Sequence, residues 1–336
     1  MCCLIYKFLL ILTQKMQISF LKILPENALK FVSKKMRICV KNFAQLHVER
    51  RRFTMGRTEN INVFQDTMNL CKNNDRIRES VHNSAQGQKL ILEGDVIAEP
   101  DKKRYKEKAR ITVSKKRTFE AALGYRGTKT AVHNFASASN PGGGVERGAN
   151  AQEECLCRCS GLFKCLNAPD AWSGFYMAHR AEHNPIHNDD IIYTPDVLVF
   201  KSDTVKPELL DEADWYTVDV ITCAAPNLRE KPSNSFNTGD GKDAIKITDK
   251  ELLAIHEKRL RRILDVALSN KVETIVLGAF GCGAFMNNPN VVAQASKNVV
   301  NEYLYAFKNI EFAVYCSPSD DTNYRIFDRV LKPYTK

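Results

Sequence analysis

The sequence predicts an α/β protein with helices on both faces of a largely parallel sheet. Short apolar, β-branched runs alternate with segments of helical period from about residue 60 onward, as in strand–helix–strand folds. The longest helical pattern, residues 249–269, carries one apolar stripe of Leu253, Ile255 or His256, Leu260, Ile263, Leu264 and Ala267, with Lys258, Arg259, Arg261 and Arg262 mostly outside it. VETIVL at 272–277 is mostly apolar and ends on Gly278, as expected of a buried central strand. With 336 residues, 44% of them hydrophobic and 26% charged, the chain fills a core and is neither disordered nor membrane-embedded.

The elements follow in order. Residues 62–72 have a helical period and 110–114 (RITVS) read as a short strand. Residues 118–123 read as helix and 130–135 (TAVHNF) as the next strand, after which a Gly-rich loop leads into a helix over 151–166. The runs 191–200 and 215–223 are rich in β-branched and aromatic residues and read as strands. Beyond the long helix and VETIVL come a helix over 289–307, a strand over 311–316 and a last helix over 323–331. The stretch 231–242 (KPSNSFNTGDGK) reads as a polar, mobile loop. Asp219, inside YTVDVITC, is expected to be a buried acid supporting the loops, and Asn227 to form a turn.

The net charge of +10 suggests a polyanionic partner, but it is unevenly placed. Residues 1–54 hold eleven Lys and Arg against Glu26 and Glu49, a surplus of nine, while the other 282 residues hold 38 basic and 37 acidic groups. Two parts are therefore expected: a basic extension over 1–54 and a folded body over 55–336. The extension suits a mitochondrial-type presequence, with Leu21, Leu24, Ala28 and Phe31 at helical spacing, although Pro25 interrupts it. A poorly ordered tail or an over-extended reading frame are the bland alternatives. Its opening apolar run is far short of the ~18–20 residues of a membrane span, so no stable membrane insertion is expected. Nor is sequence-specific nucleic-acid binding expected of a near-neutral body. A cytoplasmic monomer is the expectation, nuclear or mitochondrial if the extension targets.

Among eleven cysteines, Cys155, Cys157, Cys159 and Cys165 cluster at spacings unlike the C-x2-4-C pairs of zinc sites. On a helix Cys155 and Cys159 share a face that Cys157 does not, so buried reduced thiols are expected and no metal. His179, His183 and His187 stand four apart, but Pro185 breaks the run, and solvated or capping roles are expected. No motif asks for a cofactor.

Two Gly-rich loops each follow a strand and precede a helix: Asn140-Pro141-Gly142-Gly143-Gly144 after TAVHNF, and Gly278 to Phe285 (GAFGCGAF) after VETIVL. Such turns let backbone N–H groups approach a pyrophosphate, and the following helix adds positive potential. Neither has the Gly-Lys-Ser/Thr ending of a P-loop or the full dinucleotide fingerprint. Gln152-Glu153-Glu154 follows the first loop. Acids at a helix start ordinarily only complement its dipole, but here a short segment links them to a triple glycine and lets them face the loop.

GGG followed by QEE at this spacing, preceded by NFASASNP, resembles the microbial-type poly(ADP-ribose) glycohydrolases. GAFGCGAF and VITCAAPN (residues 220–227) are similar to the same family, and the resemblance runs from about Arg57 to Lys336. It implies a macrodomain-like three-layer α/β/α fold with a mixed, largely parallel central sheet. It further implies that Gly142, Gly143 and Gly144, with Gly281, Cys282, Gly283 and Ala284, hold the diphosphate of ADP-ribose, with Gln152 lining the same site. Glu154 is then the catalytic acid/base and Glu153 orients the distal ribose. Asn140 contacts that ribose and Phe285 packs on it. Phe280 stands where the family often has Trp.

Cleavage of a ribose–ribose O-glycosidic bond passes through an oxocarbenium-like state aided by a carboxylic acid, and the same residue, once ionised, can activate water. The expected activity is therefore hydrolysis of poly(ADP-ribose), free or on ADP-ribosylated proteins, without metal or redox cofactor, in a DNA damage response. A non-catalytic ADP-ribose reader and a mono-ADP-ribosyl hydrolase are the competing expectations.

Overall fold

The computed structural model describes residues 56–98, 100–229, 245–317 and 319–335. The basic extension and the polar stretch around 231–242 lie outside the described residues. Among the described residues seven strands form one sheet: β1 (Lys89–Ile91), β2 (Arg110–Ser114), β3 (Thr130–Ala136), β4 (Ile191–Val199), β5 (Tyr216–Ala224), β6 (Thr274–Leu277) and β7 (Asn309–Ala313). Their order is β1-β4-β5-β3-β6-β7-β2. β4 pairs antiparallel with both β1 and β5, and every other pairing is parallel, so the sheet is mixed with β4 alone reversed.

Helices cover both faces: α1 (Arg57–Asn73), α2 (Asp75–Gln86), α3 (Thr118–Leu123), α4 (Gln152–Cys159), α5 (Leu162–Leu166), α6 (Met177–Glu182), α7 (Asp249–Ser269), α8 (Pro289–Val300) and α9 (Thr322–Leu331). Successive strand residues point to opposite faces, and the two cores divide accordingly. Ala131, Ile221, Ile275 and Leu277 pack with Ile263 and Leu264 of α7, Val299 of α8 and Phe327 of α9. Val132, Val220 and Val276 pack on the other face with Phe64, Phe119, Leu156, Leu162 and Phe163. Strands buried on both faces lose the polar/apolar alternation of one-sided sheets, which is why VETIVL reads as a nearly continuous apolar run. The three-layer α/β/α arrangement is thus realised.

Several elements differ from the sequence expectation. The helix predicted over 151–166 is broken: Ser160 is extended and bridges Val199, and a Cβ at Gly161 would meet Val81 Cγ2 at 2.5 Å. This close approach of α2 requires the glycine. The regular α-helix over 289–307 stops at Val300, continuing as a 3-10 turn over Asn301–Tyr303, and the last strand begins at Asn309 rather than 311. Missed altogether were α2, whose polar sequence DRIRESVHNSAQ buries only Ile77 and Ser84, the three-residue β1, and the helical passage 169–182.

Asp219 is buried as expected but supports something else. It accepts from Tyr193 Oη at 2.5 Å and Asp196 N at 3.0 Å, and pairs with Lys129 at 3.3 Å, bracing the irregularity in β4. Asn227 is buried in a non-helical passage, its N–H donating to Pro185 O. Among the described residues no helix is long and apolar enough to cross a membrane.

Candidate active site

A cleft of about 320 Å³ opens at the carboxyl ends of β3 and β6, where ligand sites of parallel sheets form. Gln152, Glu153 and Glu154 open α4, and Gln152 ties that helix to β3. Its Oε1 accepts from Phe135 N at 2.9 Å, while Nε2 donates to His133 O at 2.7 Å and Thr118 Oγ1 at 3.0 Å. The two glutamates are 3% and 7% exposed, and both line the cleft. Glu154 accepts from Gly144 N at 2.9 Å and Ala151 N at 2.8 Å; Glu153 accepts from Ser137 N at 2.8 Å and Asn134 Nδ2 at 3.3 Å. Burial and then the neighbouring Glu154 push the Glu153 carboxyl well above its ordinary range, against the opposing pull of the Ser137 N–H and Asn134.

The first loop fits this pair because of one glycine. Gly143 has φ +61°, and a Cβ there would lie 2.6 Å from Glu154 Oε1 and 3.1 Å from Glu153 Oε2. Only a residue without a side chain lets the loop lie on both carboxylates. Asn140 stands behind the loop, its Oδ1 accepting from Arg180 Nη2 at 2.9 Å; Arg180 also donates to Ser139 O at 2.7 Å and stacks on Trp172.

The second loop faces the first across the cleft. Gly281, Gly283, Ala284 and Phe285 line it, with Ala279 and Phe280. Among the described residues, no protein acceptor is found for the N–H groups of Gly281, Gly283 and Ala284, which are available to an anion. Phe280 packs edge-on against His133, with ring centroids 4.4 Å apart. The far end of the cleft is lined by Lys116, Arg117, Tyr315 and Asn323, with Arg117 stacked on Tyr315 at 4.1 Å.

Of the residues singled out in the sequence, Gln152, Glu153, Glu154, Gly143, Gly281, Gly283, Ala284 and Phe285 meet at one cleft. Gly142, Gly144, Asn140 and Cys282 lie in the loop scaffolds rather than on the cleft wall. Residues 58–202 match the profile of the microbial-type PARG catalytic domain. The chain also superposes on poly(ADP-ribose) glycohydrolase (PARG) from Thermomonospora curvata with a TM-score of 0.67 and 27% identity, covering 81% of this chain and 99% of that one. PARG from Deinococcus radiodurans, solved in complex with ADP-ribose, is 30% identical over 75% of this chain and 97% of its own, with a TM-score of 0.62. The chain belongs to the microbial-type PARG family. A search of curated proteins finds no match.

Several residues that organise the site escaped the sequence reading. Arg259 was placed outside the apolar stripe of α7, yet it is 2% exposed. Its guanidinium reaches Asp189 Oδ1, Ala224 O, Ile186 O and His187 O, all at 2.8 to 2.9 Å. The i+3 and i+4 spacing from His256 and to Ile263 is the signal that could have placed it inside. His179 and His187 are also buried, contrary to the solvated role expected, with rings 5.8 Å apart, whereas His183 is exposed at φ +51° closing α6. Cys155, Cys157, Cys159 and Cys165 are buried free thiols, and burial pushes each above its ordinary pKa. Asn287, Arg180 and Arg117 carried no sequence signal that separates them from surface residues.

Proposed function

We propose that this PARG hydrolyses the ribose–ribose O-glycosidic bonds of poly(ADP-ribose), releasing ADP-ribose, as a glycosidase whose general acid and base is Glu154. The observation that carries the reading is the juxtaposition of a fixed carboxylate pair with a glycine loop that touches both members. The D. radiodurans relative binds ADP-ribose in the same fold, which supports that ligand for this cleft.

The chemistry divides among the residues by position. Backbone amides of Gly281, Gly283 and Ala284 receive the diphosphate, whereas the N–H groups of Gly143, Gly144 and Cys282 already donate to Asn140 O, Glu154 Oε1 and Ala279 O. The α4 N-terminus adds positive potential. Phe285 packs on the distal ribose, and Glu153, with Asn140 behind it, orients that ribose through its hydroxyls. Because Glu153 holds a proton more tightly than a free carboxyl, it removes negative charge from a cleft built for an anion.

Glu154 is oriented by the Gly144 and Ala151 N–H groups, so its position costs little reorganisation when substrate enters. It protonates the leaving ribose oxygen as the oxocarbenium-like state forms and then, ionised, takes a proton from the attacking water. The rest of the ADP-ribosyl unit extends toward Arg117 and Tyr315. The protein acts as a monomer on polymer or on ADP-ribosylated proteins.

The test is Glu154→Gln, assayed for free ADP-ribose released from poly(ADP-ribose) and from a mono-ADP-ribosylated protein, alongside calorimetric ADP-ribose binding. Turnover falls by more than 100-fold while binding stays within about threefold, since the loss is confined to the transition state. Near-normal turnover refutes the role of Glu154. Release from the mono-ADP-ribosylated substrate alone redirects the activity.

A further inference from the structure

We propose that His256 and Asn287 act as a positioning pair for the second loop, His256 holding the Asn287 carboxamide in the single orientation that spaces the diphosphate amides from Phe285. The proposal rests on the reading that this loop binds ADP-ribose, and extends it to two residues that touch no ligand. Asn287 is 2% exposed, and its Nδ2 lies 2.7 Å from Pro226 O, 3.2 Å from Gly281 O and 3.1 Å from Phe285 O. Carbonyls only accept, so the atom facing all three must be the NH2 group, and the amide orientation follows from its surroundings.

Asn287 Oδ1 then needs a donor, and the atom 2.8 Å away is His256 Nε2. His256 is 3% exposed on α7, and burial lowers its pKa to about 4, so at neutral pH it is uncharged and its single proton must sit on Nε2. The chain of dependence runs from a helix outside the cleft, through the imidazole and carboxamide, to the carbonyls on either side of the amides that meet the ligand.

The geometry leaves the loop little freedom. Asn287 N also donates to Gly281 O at 3.0 Å, and a Cβ at Gly281, where φ is +76°, would lie 2.8 Å from Asn287 Nδ2. Leu228 N donates to Phe285 O, so the loop is also tied to the segment after β5. Phe280 lies against His256 with centroids 5.6 Å apart, so the imidazole touches the loop by packing as well as by hydrogen bonding. A packing role and a proton-donating role can therefore be separated by substitution.

The experiment compares His256→Gln, whose Nε2 can still donate to Asn287 Oδ1, with His256→Leu, which fills the space without a donor. ADP-ribose affinity is measured by calorimetry, kcat and KM on poly(ADP-ribose), and folding by thermal melts. Wild-type protein that binds no ADP-ribose overturns the functional reading itself, before any variant is compared. Given binding, His256→Leu is expected to weaken ADP-ribose affinity about tenfold, with KM rising in step, and His256→Gln to stay within about twofold. Equal affinity for both variants, whether retained or lost, overturns the proposal, because the donor then makes no difference.

Should His256→Leu not fold, Asn287→Asp decides. It keeps the acceptor for His256 but turns an oxygen toward three carbonyls, and is expected to lose affinity more than tenfold. Affinity at the wild-type level overturns the pair.

Discussion

Replacing Gly143 by alanine tests whether the first loop and the carboxylate pair form one device. Ordinary van der Waals contact begins at 3.4 Å, so a methyl at this position is about 0.8 Å too close to Glu154 Oε1 and about 0.3 Å too close to Glu153 Oε2. The backbone is left-handed here, which costs a non-glycine residue roughly 1–2 kcal/mol. Retreat is blocked, because Gly142 is also left-handed and its own Cβ position lies 2.8 Å from Phe163. Relief must come from the Glu154 carboxylate, which shifts by most of an ångström and loses register with the Gly144 and Ala151 N–H groups. A displacement near 1 Å in a reacting group costs about 100-fold in rate. Initial rates of ADP-ribose release should show kcat falling by that factor, with a melting temperature lower by roughly 2–6 °C. Gly94→Ala, whose Cβ would meet nothing within 4 Å, is the control and should match wild type. A Gly143→Ala enzyme with kcat within threefold of wild type would show that the loop and the acid move independently.

Other substitutions probe the remaining supports. Glu153 has a raised folded pKa, so the native state binds its proton more tightly than the unfolded chain does, and stability falls as pH rises from the ordinary value of 4.5 through the folded pKa. Glu153→Gln should therefore raise the melting temperature near neutral pH and lose that advantage below about pH 4; a constant difference across pH would refute the assignment. Arg259→Ala leaves a buried carboxylate and three carbonyls without their guanidinium and should cost roughly 3 kcal/mol by denaturant titration, with Arg259→Lys unable to restore the fork. Gly283→Val should leave the melting temperature unchanged, because its Cβ enters open space, yet weaken ADP-ribose binding about tenfold by occupying the cleft. Unchanged affinity would move the ligand away from that loop.

The central strand VETIVL was legible because burial on both faces leaves it mostly apolar, whereas TAVHNF reads as a strand although Thr130, His133 and Asn134 are polar and buried. The boundaries of α3 and α7 were legible for a related reason: Thr248 caps α7 by accepting from Glu251 N, and its own N–H donates to the Glu251 side chain, a pattern written in sequence spacing. The polar helix α2 and the short edge strand β1 were not, since they bury little and gain their structure from docking. The same division runs through the site. QEE and the glycines stand together in the chain, and loop shape restricts them to few residue types. Arg180, Asn287 and Arg259 act through bonds to carbonyls that become neighbours only when distant segments meet, and no local pattern announces a carbonyl in need of a donor. The basic surplus that dominates the composition lies in residues 1–54 and says nothing about this cleft, which residues of the near-neutral body line.

The strand order has a consequence for how the enzyme comes into being. β2, made early, lies at one edge of the sheet and, among the described residues, pairs with the strand β7, about 200 residues later. β3 carries the first loop, but its neighbour β6, which carries the second, follows after more than half of the folded body has been synthesised. A ribosome therefore releases the carboxylate pair long before the loop that lines the opposite wall of the cleft. Until β6 and β7 slot between β3 and β2, the two walls of the cleft are not assembled.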